Sequence, residues 1–112
     1  MASEKEFETE VKEFLDQRGC WYLKTWSNGV QRKGIPDLLI CCNGLFLGVE
    51  LKAMNGKPSD LQKREIKLIR KSNGIGIVLY PDCFEQFKTY IDELLDKEID
   101  NEVSYDWIFE NL

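Results

Sequence analysis

Histidine is absent from this chain of 112 residues. That removes Ser-His-Asp and Cys-His nucleophilic catalysis, histidine zinc sites and any mechanism with a histidine base. Proton transfer is left to Lys, Asp, Glu, Tyr or a water activated by a bound metal. Cysteine is scarce: Cys20, Cys41, Cys42 and Cys83 show no C-x-x-C spacing. With nothing pointing to secretion, the expectation is free, mostly buried thiols rather than disulfides or a metal cluster. No apolar run approaches the ~18 residues of a membrane-spanning helix. The opening MASEKEFETE is acidic and polar, unlike a secretion signal. Internal repeats, linkers and low-complexity stretches are missing as well. One cytoplasmic domain over residues 1–112 is expected, large enough to fold around a single core.

Positive charge is in deficit overall, at a net −5, but its distribution is uneven. Between Arg18 and Lys71 stand eleven basic residues against four acidic ones, Asp37, Glu50, Asp60 and Glu65; beyond residue 81 ten acids face Lys88 and Lys97 alone. A local basic surface draws in phosphates whatever the total charge. The acidic C-terminal part argues against broad, non-specific nucleic-acid binding.

The stretch GIPDLLICCNGLFLGVELK, residues 34–52, organises the rest. Two apolar runs, Leu38 to Cys42 and Leu45 to Leu51, flank Asn43-Gly44, the strongest short signal for a two-residue hairpin turn. That turn places Cys42 opposite Leu45, Ile40 opposite Leu47 and Asp37 opposite Glu50. Directly opposed carboxylates destabilise a sheet, so compensation is expected from Lys52, on the face of Glu50 by the two-residue period, and from a divalent cation. The other face carries Leu38, Ile40, Cys42, Leu45, Leu47, Val49 and Leu51 and suits packing on a helix. Taken alone, Asp37 and the Glu50-x-Lys52 pair also suit the surface of an edge hairpin, and a one-residue bulge would undo the pairing.

Around the hairpin, a helix is predicted over residues 4–18, with Ser3 as N-cap and Phe7, Val11, Phe14 and Leu15 as its buried stripe. Glu8 borders that stripe and Glu10 its opposite edge. A strand follows over Cys20 to Trp26, then a turn at Ser27-Asn28-Gly29 and the basic residues Arg32 and Lys33. Pro36 marks the start of the hairpin. After a loop holding Lys57, a helix over residues 59–72 opens with the capping box Ser59-x-x-Gln62. Its apolar positions are Leu61, Ile66, Leu68 and Ile69, and Lys63, Arg64, Lys67, Arg70 and Lys71 form a basic face, suited either to solvent or to a nucleic-acid backbone. A strand over Ile75 to Tyr80 implies a parallel crossover. A C-terminal helix over residues 83–95 and an apolar tail with Tyr105, Trp107, Ile108, Phe109 and Leu112 complete the chain.

Pro36-Asp37 followed by Glu50-Leu51-Lys52 resembles the PD-(D/E)xK nuclease superfamily. The fuller run Gly34-x-Pro36-Asp37, Val49-Glu50-Leu51-Lys52, Gly56, Ser59 and Gln62 resembles its virus-type replication-repair nuclease (VRR-NUC) domain, over residues 8–80. The resemblance implies an α/β fold: a mixed β-sheet flanked by helices, an αβββαβ restriction-endonuclease-like core with an added acidic C-terminal helix and tail over residues 82–112. It implies a structure-selective DNA endonuclease using Mg2+ or Mn2+, acting on branched DNA such as four-way junctions as a homodimer. No membrane and no small-molecule cofactor are involved, and a phage-encoded chain would work in the host cytoplasm.

In that reading Asp37, Glu50 and Lys52 are catalytic and Gln62 approaches the site. Glu8, Asp37, Glu50 and the backbone carbonyl of Leu51 hold the metal, with Glu10 in reserve for Glu8. Lys24, Arg32, Lys33, Lys57, Lys63, Arg64 and Lys67 contact DNA. The alternatives are a monomeric flap or single-strand nuclease, or a catalytically silent DNA-binding or interaction module of the same fold.

Overall fold

Asn43 and Gly44 turn the chain at φ values of 53° and 80°, the conformation a two-residue hairpin turn requires and these residues tolerate. The hairpin takes the register the turn dictates: β2 (Leu38–Cys42) pairs antiparallel with β3 (Leu45–Leu51) through Cys42 opposite Leu45, Ile40 opposite Leu47 and Leu38 opposite Val49. The computed structural model describes residues 3–26, 29 and 31–98. The expectations for Ser27, Asn28 and the apolar tail from Tyr105 to Leu112 lie outside the described residues.

Helix α1 (Glu4–Gln17) begins at Ser3, whose hydroxyl accepts from the Glu6 N–H. Next come β1 (Trp21–Lys24), the hairpin, α2 (Asp60–Lys71), β4 (Ile75–Leu79), a 3-10 turn at Pro81–Cys83 and α3 (Phe84–Asp96). The sheet runs β1-β2-β3-β4, antiparallel except for the parallel pair β3 and β4 that α2 connects. The fold is thus the expected αβββαβ mixed sheet flanked by helices, consistent with a restriction-endonuclease-like core and a C-terminal helix.

β1 is shorter than the expected strand. The Cys20 N–H is taken by the Leu15 carbonyl at the end of α1, and Thr25 spends its N–H and hydroxyl on the Asp37 and Pro36 carbonyls.

One face of the sheet buries Leu38, Ile40, Cys42, Leu47, Val49 and Leu51 together with Phe7, Val11, Phe14 and Leu15 of α1 and Phe87, Ile91 and Leu94 of α3. Phe7 meets Phe84 edge to face, ring centroids 5.5 Å apart, the arrangement ring quadrupoles favour. Leu45 departs from this set and is partly exposed beside the turn. The turn itself is tied to α3: the Asn43 side-chain amide donates to the Leu94 and Lys97 carbonyls at 2.8 and 2.9 Å.

Helix α2 covers the opposite face of β3 and β4. Gly48 and Gly76 stand side by side across that ladder. A Cβ at Gly76 would lie 2.8 Å from the Ile66 carbonyl oxygen, and one at Gly48 would lie 2.5 Å from Cδ1 of Ile69. Two missing side chains therefore bring the helix close to the sheet. That narrows its buried stripe, so Leu61 and Leu68, expected as apolar contacts, are exposed, while Ile66 and the acid Glu65 are buried.

The thiols divide evenly: Cys20 and Cys42 are buried, Cys41 and Cys83 exposed. Cys41 points away from its neighbour Cys42 by strand alternation, onto a part of the sheet that α2 does not cover.

Candidate active site

Asp37 sits one residue before β2, where the missing N–H of Pro36 ends the pairing. The Asp37 carbonyl accepts from the Thr25 N–H at 2.9 Å, and its Oδ2 accepts from the Leu51 N–H at 3.0 Å. The carboxylate is thus fixed against the end of β3, across from Glu50. Glu50 points to the α2 side of the sheet and is 1% exposed, and neither of its carboxylate oxygens has a hydrogen-bond partner. Lys52 Nζ lies 3.8 Å from Glu50 Oε2, too far for a hydrogen bond. Burial, and then the neighbouring Asp37, push the Glu50 carboxyl up to about 8, against the opposing pull of Lys52.

Glu8 reaches the same corner from α1. Its Oε1 lies 2.9 Å from Lys24 Nζ and its Oε2 3.0 Å from Lys12 Nζ. Burial alone would raise the Glu8 carboxyl; the two ammonium groups outweigh it, and the net shift is downward. Lys24 is also 3.4 Å from Asp37 Oδ1, so one ammonium bridges two carboxylates on different elements. Its own pKa is lowered by burial but raised overall by Glu8 and Asp37. Glu10 faces elsewhere, lining a groove with Glu13, Phe14, Gln17 and Phe84.

Asp37 opens into a cleft of about 710 Å³ whose walls include Lys24, Trp26, Lys33, Ser59 and Gln62. Gln62 completes the capping box, its side-chain oxygen accepting from the Ser59 N–H at 2.8 Å while the Ser59 hydroxyl accepts from the Gln62 N–H. Capping and a place in the cleft wall therefore coexist. Gly34 makes this possible: at φ 94° it passes so close to the first turn of α2 that a Cβ would lie 2.5 Å from the Leu61 carbonyl oxygen.

The basic residues divide into two groups. Lys33, Lys57, Lys63 and Lys67 are exposed. Arg32, in the cleft wall, forms a fork-like pair with the buried Glu65 through Nε–Oε1 and Nη2–Oε2 contacts, and Arg64 lies 3.5 Å from the same carboxylate. Arg32 holds Glu65 below the usual carboxylate range, and the pair fastens the loop before Gly34 to α2.

Sequence reasoning missed three features. Lys24, expected to contact DNA, also stands inside the acidic corner, at the end of β1 and in register with the buried Leu38. Glu65 was not singled out, although it follows Leu61 and precedes Ile69 at helical spacing. Trp26, which the alternation places only in a strand, is 71% exposed at the cleft.

The donor set suits a divalent cation. Asp37 and Glu50 are two hard oxygen donors on one hairpin, and the unpartnered buried carboxylate of Glu50 is an arrangement that stays costly until a cation approaches. Among the described residues, no three acidic or thiol side chains converge as a ready cage, and Lys24 stands between Glu8 and Asp37.

Residues 2–75 match the family model described as archaeal Holliday junction resolvase (Hjc). That family belongs to the PD-(D/E)xK nuclease superfamily, in agreement with the sequence reading at superfamily level; the family matched is Hjc, a different one from VRR-NUC. No curated protein and no solved structure matches the chain.

Proposed function

The chain belongs to the archaeal Holliday junction resolvase family, and from that premise we propose that it is a divalent-metal-dependent endonuclease that cuts phosphodiester bonds in branched DNA, four-way junctions above all. The observation that carries this reading is the Glu50 carboxylate, buried without a partner beside Asp37 and Lys52. An acid in that state is expensive to fold and finds its use when a cation and a phosphate arrive. Ser59 and Gln62 of the resembling motif line the wall of the cleft and support the same reading.

Asp37, Glu50, the Leu51 carbonyl and Glu8 would hold Mg2+ or Mn2+. When bound, the ion supplies Lewis acidity that neutralises charge developing on the phosphate. Lys52 brings an ammonium next to Glu50, where it orients the attacking water or stabilises the crowded phosphate. The exposed Lys33, Lys57, Lys63 and Lys67 track the DNA backbone, and Arg32 acts chiefly by holding the cleft wall through Glu65. Exposed lysines that meet phosphates read DNA shape rather than base sequence. A homodimer with two such sites would cut both strands of a junction, so light scattering should give the mass of two chains.

The test is cleavage of end-labelled four-way junction, flap, duplex and single-stranded DNA with Mg2+, Mn2+ or chelator. Wild type should cut the junction only with metal. Folded Asp37→Ala and Lys52→Ala should each lose at least about a hundredfold in rate, the order seen when one transition-state donor is removed. Retained cleavage by either variant would sink the mechanism.

A further inference from the structure

The corner between α1 and the hairpin already contains a cation. Lys24 Nζ lies 2.9 Å from Glu8 Oε1 and 3.4 Å from Asp37 Oδ1. The remaining oxygens of these carboxylates are fixed by other groups, Glu8 Oε2 by Lys12 and Asp37 Oδ2 by the Leu51 N–H. The two acids are thus aimed at one point, and the ammonium fills it. We propose that Lys24 is a built-in placeholder: it occupies the position between Glu8 and Asp37 while the protein is metal-free, and a divalent ion displaces it into the cleft, where it becomes a phosphate contact. The inference rests on the metal-dependent reading above.

Three observations support the exchange. An ammonium and a divalent ion cannot share the gap, because like charges a few ångströms apart repel strongly where water is scarce. The gap itself holds one positive charge shared between Glu8 and Asp37, with Lys12 on the outer oxygen of Glu8, whereas a divalent ion in the gap bonds directly to oxygens of both acids. Lys24 also has somewhere to go: it is the last residue of β1, its side chain lines the cleft next to Trp26 and Lys33, and a four-carbon stem allows it to swing. Metal loading would thereby add a cation to the DNA-facing wall.

The test is calorimetric titration with Mn2+ alone, with thermal melting in chelator and in Mn2+. Removing the competitor in Lys24→Gln should tighten Mn2+ binding roughly tenfold, the worth of two partly buried ion pairs. The same variant should melt lower in chelator, with two carboxylates facing each other, and gain more from metal than wild type does. Lys24→Arg, whose guanidinium clamps carboxylates in a fork, should weaken Mn2+ binding severalfold, which keeps the test open should the Gln variant fail to fold. Unchanged Mn2+ affinity in a folded variant would overturn the placeholder and leave the metal centre standing. Junction cleavage in chelator, with no Mn2+ bound by any of the three proteins, would remove the metal-dependent reading and this inference with it.

Discussion

Glu50 shows what a buried acid costs the fold. An unfolded glutamate ionises near 4.5, whereas here burial and Asp37 push the group up to about 8. Between those values the folded protein carries a proton that the unfolded chain has lost, so raising the pH withdraws stability. The contribution is whole below about pH 4.5 and gone above about pH 8. In chelator, the unfolding free energy of wild type should therefore fall by roughly a few kcal/mol across that window. Glu50→Gln, which never ionises, should remove that fall and raise the melting temperature at pH 8 while cutting no DNA. A wild-type stability that rose over the same window would show that Glu50 is not held protonated. The register of the hairpin, from Cys42 against Leu45 to Leu38 against Val49, was legible in the sequence because one Asn-Gly turn determines every cross-strand partner, and it carries Asp37 to the end of β3. The burial of Glu50 was not, because it depends on packing between elements distant in sequence, which no local pattern encodes.

At the level of elements, α2 sets both the back wall of the sheet and one side of the cleft. Its start was legible, since Ser59-x-x-Gln62 is a local signal and forms the capping box as spaced. Ser59→Ala should cost about 1 kcal/mol, measured by urea unfolding, and should also blunt cleavage by freeing Gln62 and the first turn. The inward face was less legible: Leu61 and Leu68 follow helical spacing, yet two adjacent glycines on different strands draw the helix so near that only a narrow stripe is covered. Gly76→Ala tests this. Its new methyl would meet the Ile66 carbonyl, a backbone atom unable to move alone, and should cost about 1–3 kcal/mol. Gly48→Ala meets only the flexible end of Ile69 and should cost less. Equal costs would show that α2 rides on its side chains alone. The Arg32–Glu65 pair belongs to this scale too, because it joins residues far apart in sequence and no spacing rule reaches that distance.

For the whole molecule, the separation of charge matters more than its sum. The exposed lysines of the cleft loops and α2 face away from the acid-rich α3, so a protein with a net charge of −5 still offers DNA a basic side. Junction affinity should fall linearly with the logarithm of salt, and changing Lys63 and Lys67 together to Gln should reduce that slope by about two. An unchanged slope would move the DNA to another surface. The hairpin turn is also tied to the end of α3 by the Asn43 amide, which clasps the Leu94 and Lys97 carbonyls. That clasp gives the protein a shelf life. An asparagine followed by glycine is the peptide pair most prone to lose ammonia, through attack by the next backbone nitrogen. The carboxylate that remains has no hydrogens to donate to the Leu94 and Lys97 carbonyls. Water opens the resulting succinimide to aspartate or isoaspartate, so peptide mapping of aged protein should find residue 43 converted as the melting temperature declines, and freshly made Asn43→Asp should melt below unaged wild type.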